Sequence, residues 1–199
     1  MVRTDPRPLQ ARAFDQARGA VAAVRPEHLT LPTPCTEFDV RSLLGHLVSV
    51  LHKLAAVGRG EDPSRVPDVL EGIADDGWLA AFDAGAAEVR SVWGDDALLE
   101  REFRLPWATL PGPAVVSAWT QEVAIHGWDL AAAIGAPTDW DPEVGEAMLP
   151  FAHGILPAEI RGEPIGNAFA AVVDVPEDAG VYTRLAGWLG RDVNRWGAA

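Results

Sequence analysis

Residues 114–134 read AVVSAWTQEVAIHGWDLAAAI. Pro111-Gly112-Pro113 precedes the run, and Gly135 and Pro137 follow it. A stretch this long and mostly apolar predicts a helix, which the flanking glycines and prolines start and stop. At about 100° per residue, with Val115 at zero, Ala118, Trp119, Val123 and Ala133 form an apolar stripe around 0°. Glu122, His126 and Asp129 fall at about 340°, 20° and 320°, inside that stripe. Three ionisable side chains therefore sit on the face that packing should bury. A lone buried carboxylate costs several kcal/mol unless it is paired or coordinates a metal. Glu122 and His126 are four residues apart, so both side chains reach one point beside the helix. Carboxylate and imidazole are ligands of a borderline divalent ion such as Zn²⁺, Ni²⁺ or Fe²⁺. The same pair also fits a buried Glu–His ion pair without metal, and the helix by itself does not separate the two.

Outward from this helix the chain is mostly helical. Residues 8–24 carry Leu9, Ala13, Ala17, Ala20, Val21 and Val24 at helical spacing, ended by Pro26. Asp39 is the expected N-cap of a helix from Val40 to about Val57, with Leu43, Leu44, Leu47, Val48 and Leu51 on its buried face. His46 and His52 lie on opposite edges of that stripe, and either one can face the interior. A third helix is expected from about Pro67 or Gly72 to Trp93, with a break near Gly77. The segment 99–106 alternates like a short strand ahead of the fourth helix. A fifth helix is expected from Pro142 to about Leu156. Residues 157–180 read as loop, and Val181 to Leu189 as a short last helix ended by Gly190. Four long helices with modest connections make a four-helix bundle the natural architecture. Its core spans about 5–136, with a short helical C-terminal extension over about 137–199, in one domain of 199 residues.

Composition narrows the function classes. The net charge of -13 repels phosphate backbones and anionic bilayers, so neither nucleic acid nor membrane is an expected partner. The apolar runs fall short of the roughly 20 residues of a membrane span. The N-terminus has no apolar region of a secretory signal, so a cytoplasmic protein is expected. Cys35 is the single cysteine, which excludes an internal disulfide and a cysteine-cluster metal site. Cys35 precedes a helix N-terminus, but no partner histidine is evident in sequence. His28 and His153 have no constellation around them and read as surface or boundary residues. Trp107 and Trp119 can line a pocket, although core packing is the default for tryptophan. Trp128 points well away from the Glu122–His126 face and reads as packing.

Two segments carry a family resemblance, Thr33-Pro34-Cys35-Thr36-Glu37-Phe38-Asp39-Val40-Arg41-Ser42-Leu43-Leu44-Gly45-His46-Leu47-Val48 and Glu122-Val123-Ala124-Ile125-His126-Gly127-Trp128-Asp129-Leu130-Ala131. A weaker third is Arg184-Leu185-Ala186-Gly187-Trp188-Leu189-Gly190-Arg191-Asp192. Together they resemble the DinB-like metal-binding proteins, in the branch related to the N-terminal domain of mycothiol-dependent maleylpyruvate isomerase. The resemblance implies an all-α, up-down-down-up four-helix bundle, often dimeric. It implies one divalent metal on His46, Glu122 and His126, and so selects His46 over His52. Some members are thiol-dependent enzymes in which mycothiol or bacillithiol binds the metal as thiolate. Phe38 stands where tryptophan is common, Thr183 where aspartate is usual and Val193 where proline is usual. The chain is also short for the second domain of the full isomerase, so maleylpyruvate itself is not the implied substrate.

Three protein ligands leave open positions on a metal, the mark of a reactive rather than a closed structural site. The expected function is a metal-dependent transferase or isomerase that activates a small thiol toward a small organic substrate. Asp129 is the acceptor that orients a ligand imidazole, a general base, or equally a capping or salt-bridge residue. A non-catalytic metal protein for sensing, storage or bundle stability is the alternative. A di-iron bundle would need more inward carboxylates than this chain offers.

Overall fold

A computed structural model describes residues 5–138, 140–160 and 169–196. Four long helices, α1 (Arg7–Ala23), α2 (Val40–Arg59), α3 (Trp78–Trp93) and α4 (Gly112–Ala133), enclose the main core. A two-stranded antiparallel hairpin, β1 (Glu102–Arg104) and β2 (Thr109–Pro111), precedes α4 and pairs Phe103 with Leu110. Three shorter helices follow: α5 (Pro142–Ile155), α6 (Val181–Trp188) and α7 (Val193–Trp196).

Side-chain contacts fix the directions of the bundle. Arg7 bonds the carbonyl of Trp93 while Arg18 pairs with Asp83, so α1 and α3 are antiparallel. Gly85 sits against Leu51, and Gly58 against Val92 and Trp93, so α2 and α3 are parallel. The parallel pair requires the long 60–77 connection, and the arrangement is the all-α, DinB-like fold.

That connection also corrects the expected start of α3. Leu70 N–H donates to the Gly45 carbonyl, and the Pro67 and Asp68 carbonyls accept from Ser49 and His46 on α2. Backbone groups bound to α2 are not free for a helical ladder, and Gly72 is left-handed at φ 78°, so α3 begins only after Gly77.

The apolar-stripe picture of α4 was too simple. α4 is buried nearly all round: one side faces α1 and α2, and the other faces α5 and α6. Ile125 and Trp128 lie in a second core with Val144, Met148 and Leu185. Gly127 permits close approach of α1, since a Cβ there would stand 2.9 Å from that of Ala17. α2 is long and apolar enough to cross a bilayer by length and composition, but most of it is buried within the bundle. His28 is likewise buried rather than at the surface, its ring nitrogens meeting the Arg25 backbone N–H and guanidinium.

Candidate metal centre

The fourth helix places Glu122, His126 and Asp129 on successive turns of one face, as its periodicity requires. His126 Nε2 lies 3.5 Å from Glu122 Oε2, and its Nδ1 lies 3.1 Å from Asp129 Oδ2. Across the interface α2 contributes His46, whose ring stands nearly perpendicular to that of His126 at a centroid distance of 4.7 Å. One ligand atom each of His46, Glu122 and His126 lies within 4.8 Å of the others. His52 points the other way and pairs with Glu88 on α3 at 2.6 Å.

Each imidazole is held through Nδ1. His46 Nδ1 donates to the Asp68 carbonyl at 2.8 Å, and His126 Nδ1 to Asp129. Both rings therefore present Nε2 toward Glu122, the tautomer that carbonyl and carboxylate partners impose on ligand histidines. Phe38 stacks on His46 at 5.0 Å and meets His126 edge-on at 6.4 Å. Thr33 fixes the Phe38 loop, its hydroxyl donating to the carbonyls of Cys35 and Phe38.

Gly45 is what lets Asp68 reach His46. A Cβ at this position would run into the Leu70 carbonyl. Gly45→Ala is therefore expected to lift the 67–70 segment off α2, release His46 Nδ1 and destabilise the fold by roughly 1–3 kcal/mol, as overpacking does. Denaturant unfolding measures the stability cost, and the NMR shift of the His46 ring reports the lost bond.

Asp129 is completely buried (0% exposed). Its Oδ1 accepts from Arg191 Nε at 3.1 Å, and its Oδ2 from Arg191 Nη2 at 2.8 Å and from His126. Three donors use both oxygens, and Asp129 does not line the cavity described below. This is the place of a residue that orients His126. Periodicity did not find Arg191, which is 62 residues away. It arrives because α6 ends in a left-handed turn at Gly190 (φ 83°), with Arg191 N–H donating to the Ala186 carbonyl. That turn brings the guanidinium back against α4, where Nη1 also caps the Leu189 carbonyl.

The electrostatics follow from this packing. Burial and the nearby His126 push His46 down to about 4, so its ring is neutral at neutral pH. Burial opposes the charge on His126, but its bonds to Asp129 and Glu122 prevail and raise its pKa. Burial works against the Asp129 carboxylate as well, and Arg191 and His126 nevertheless hold its pKa below the usual range. These shifts set an acid limit for the metal-free protein. Below pH 6.5 the unfolded chain's His46 takes a proton that the folded site refuses until about 4, so stability falls with pH across that window. The lowered pKa of Asp129 adds a further loss as the carboxylate is finally protonated. The raised pKa of His126 acts oppositely, and its contribution fades as pH rises through the folded value. Urea unfolding of chelator-treated protein from pH 4 to pH 9 is expected to show maximum stability near neutrality, and a curve flat down to pH 4 would exclude this account.

Cys35 lies closer to the cluster than the sequence suggested. Its Sγ, a His126 nitrogen and an Asp129 oxygen fall within 4.8 Å of one another. Burial pushes the thiol up to about 11, which keeps it protonated and a poor nucleophile.

A cavity of about 250 Å³ opens directly on His46 and Glu122. Trp119, Ala118, Val50, Leu156 and Phe169 form its walls, with Trp107 at the tip of the hairpin on its rim. Both tryptophans thus line a pocket. Trp107 is the one large apolar side chain exposed among the described residues, at 42%.

A four-helix bundle with a His–Glu–His cluster between two helices, open to a small cavity, defines the class of protein by its shape. Comparison with known families narrows the class: residues 11–131 match the mycothiol maleylpyruvate isomerase N-terminal domain, and the chain belongs to that family. It is similar to two uncharacterized proteins of Mycobacterium tuberculosis, MT0763 of strain CDC 1551 / Oshkosh and Rv0738 of strain ATCC 25618 / H37Rv. Each is 32% identical over 191 residues, covering 95% of this chain and 99% of the relative. No solved structure matches the chain significantly.

Proposed function

We propose that the protein binds one divalent transition metal, with zinc the best fit, through His46, Glu122 and His126, and uses it to activate a mycothiol-type thiol toward a small organic substrate. The observation that carries this reading is the convergence of two Nδ1-anchored imidazoles on one carboxylate at the mouth of a cavity. A spacing of 3.5 Å between His126 Nε2 and Glu122 Oε2 is long for a hydrogen bond. Two donors each about 2.1 Å from a tetrahedral ion stand roughly 3.4 Å apart, so the spacing suits a shared ion better than a shared proton. His/Glu/His is also the donor chemistry zinc takes with a position left open.

When bound, the metal supplies a lowered pKa for a coordinating thiol, so that the thiolate is available near neutral pH. His46 and His126 bind in their neutral forms, Glu122 contributes the negative charge, and Asp129 with Asp68 holds both rings in place. Phe38 packs against both imidazole rings and helps hold them in place. The family's association with mycothiol supports a transferase or isomerase acting on a small molecule, and a homodimer, frequent among the proteins it resembles, is the proposed assembly.

The test begins with elemental analysis of untagged protein purified without added metal, followed by Co²⁺ substitution and titration with mycothiol. About one equivalent of metal and a thiolate-to-cobalt absorption band on adding thiol are expected. Metal without any response to thiol would instead favour a non-catalytic metal protein for sensing, storage or stability.

A further inference from the structure

We infer that the cavity beside His46 and Glu122 takes an uncharged, largely apolar small molecule carrying one hydrogen-bond donor, which Gln121 accepts, and that it discriminates against small dianions. This inference deepens the reading above, since it takes the cavity to be where the substrate meets the metal cluster. Three observations carry it.

The first is charge. Among the described residues lining the cavity, the cation is Lys53, and its ammonium is already paired with the Asp68 carboxylate. The wall also carries the Glu122 carboxylate, which offsets one charge of the ion proposed above, so among the described residues no second cation is left to hold a dianion. The net charge of -13 disfavours a dianion further. Sites built for small dianions present forked arginines or free donors instead.

The second is the wall itself. Val50, Ala118, Trp119, Leu156 and Phe169 are apolar and span four parts of the chain. A cavity of about 250 Å³ suits a single substituted ring or a short branched chain. Ligand sites are mostly apolar with few polar groups that fix orientation, and this one has that composition.

The third is Gln121. The residue is 1% exposed and lines the cavity, and its buried Oε1 has no hydrogen-bond partner among the described residues. A buried acceptor without a donor costs about 1–3 kcal/mol, so a folded protein keeps one for a reason. The terminal amide torsion of glutamine is soft, and a modest turn presents Oε1 to a ligand hydroxyl or N–H in the cavity. A site with an unsatisfied acceptor favours the ligand that supplies the donor and penalises the analogue without it.

Calorimetric titration with phenol, anisole and maleate tests the inference, on protein as purified and after chelation, with wild type and Gln121→Leu. Phenol is expected to bind wild type roughly fivefold or more tightly than anisole. Maleate is expected to bind at least tenfold more weakly than phenol. Gln121→Leu should erase the phenol–anisole difference while retaining anisole binding. Ala118→Trp, which fills the cavity, should abolish binding of both rings. Maleate as the tightest ligand, a phenol preference that survives Gln121→Leu, or no binding of either ring would each overturn the inference. Metal content measured on the same samples separates the two readings. Ring binding without metal leaves the cavity inference standing and removes the metal site, whereas metal with maleate preferred does the reverse.

Discussion

Replacing His126 with alanine is expected to take bound transition metal from about one equivalent to none. His126 sits at the centre of the cluster, within reach of Glu122 on one side and anchored by Asp129 on the other. Changes to groups that only orient a ligand cost about 10–100-fold in metal affinity, so loss of one of three ligands should cost more. Elemental mass spectrometry on untagged wild type and variant measures this directly. Heat stability separates a metal site from a plain buried ion pair. If the site is metallic, Zn²⁺ at about a thousand times its dissociation constant stabilises the wild type by about 4 kcal/mol and leaves the variant unmoved. In a Glu–His ion pair the variant loses stability because its carboxylates lose their partner, but added zinc moves neither protein. A wild type that holds no metal and is indifferent to Zn²⁺ would sink the assignment.

Much of this site was legible in the sequence because its residues lie close together along one helix. Glu122, His126 and Asp129 are separated by four and three positions, and helical pitch forces them onto one face whatever the rest of the chain does. Three ionisable groups on an apolar face had to be satisfied there, and that argument needs no tertiary information. His46 was different. The wheel of α2 left it level with His52, because both flank the same stripe and what they face depends on helix packing. Only the family resemblance chose between them, and in the structure His52 turns to Glu88 on α3.

What the sequence could not show came from backbone placement. The Asp68 carbonyl belongs to a segment that reads as the start of a helix, and only Gly45 permits it to lie on α2. Arg191 comes from the last part of the chain and depends on a left-handed glycine turn. The resembling segment around Arg191 marked its neighbourhood without giving its role. Cys35 belongs to the same category, since its proximity to His126 follows from a loop held by Thr33. α4 was misjudged in one respect, because a helix buried on all sides has no single stripe for periodicity to find.

Arg191→Leu is expected to destabilise the protein by about 3–5 kcal/mol, because it strands a buried carboxylate. Asp129 is completely buried, and without Arg191 its remaining partner is His126 Nδ1. Part of the cost will appear as a raised Asp129 pKa. A protonated Asp129 is a poorer acceptor and lets the His126 ring turn. The same variant should therefore lose about 10–100-fold in zinc affinity although Arg191 is not a candidate ligand. Lysine at this position restores charge but not the forked pair of bonds to Oδ1 and Oδ2, so Arg191→Lys should fall between. The double variant Asp129→Leu with Arg191→Leu removes both charges at once. Apolar replacement of a buried pair is often neutral, so its stability loss should be smaller than the sum of the single losses, while its zinc affinity stays low. Urea midpoints and competition with a chromophoric chelator give the two readouts. Stability loss without affinity loss in Arg191→Leu would make the Asp129–Arg191 pair a packing device with no hold on His126. Loss of both, with only stability recovered in the double variant, would tie the last turn of α6 to the metal centre through a single carboxylate.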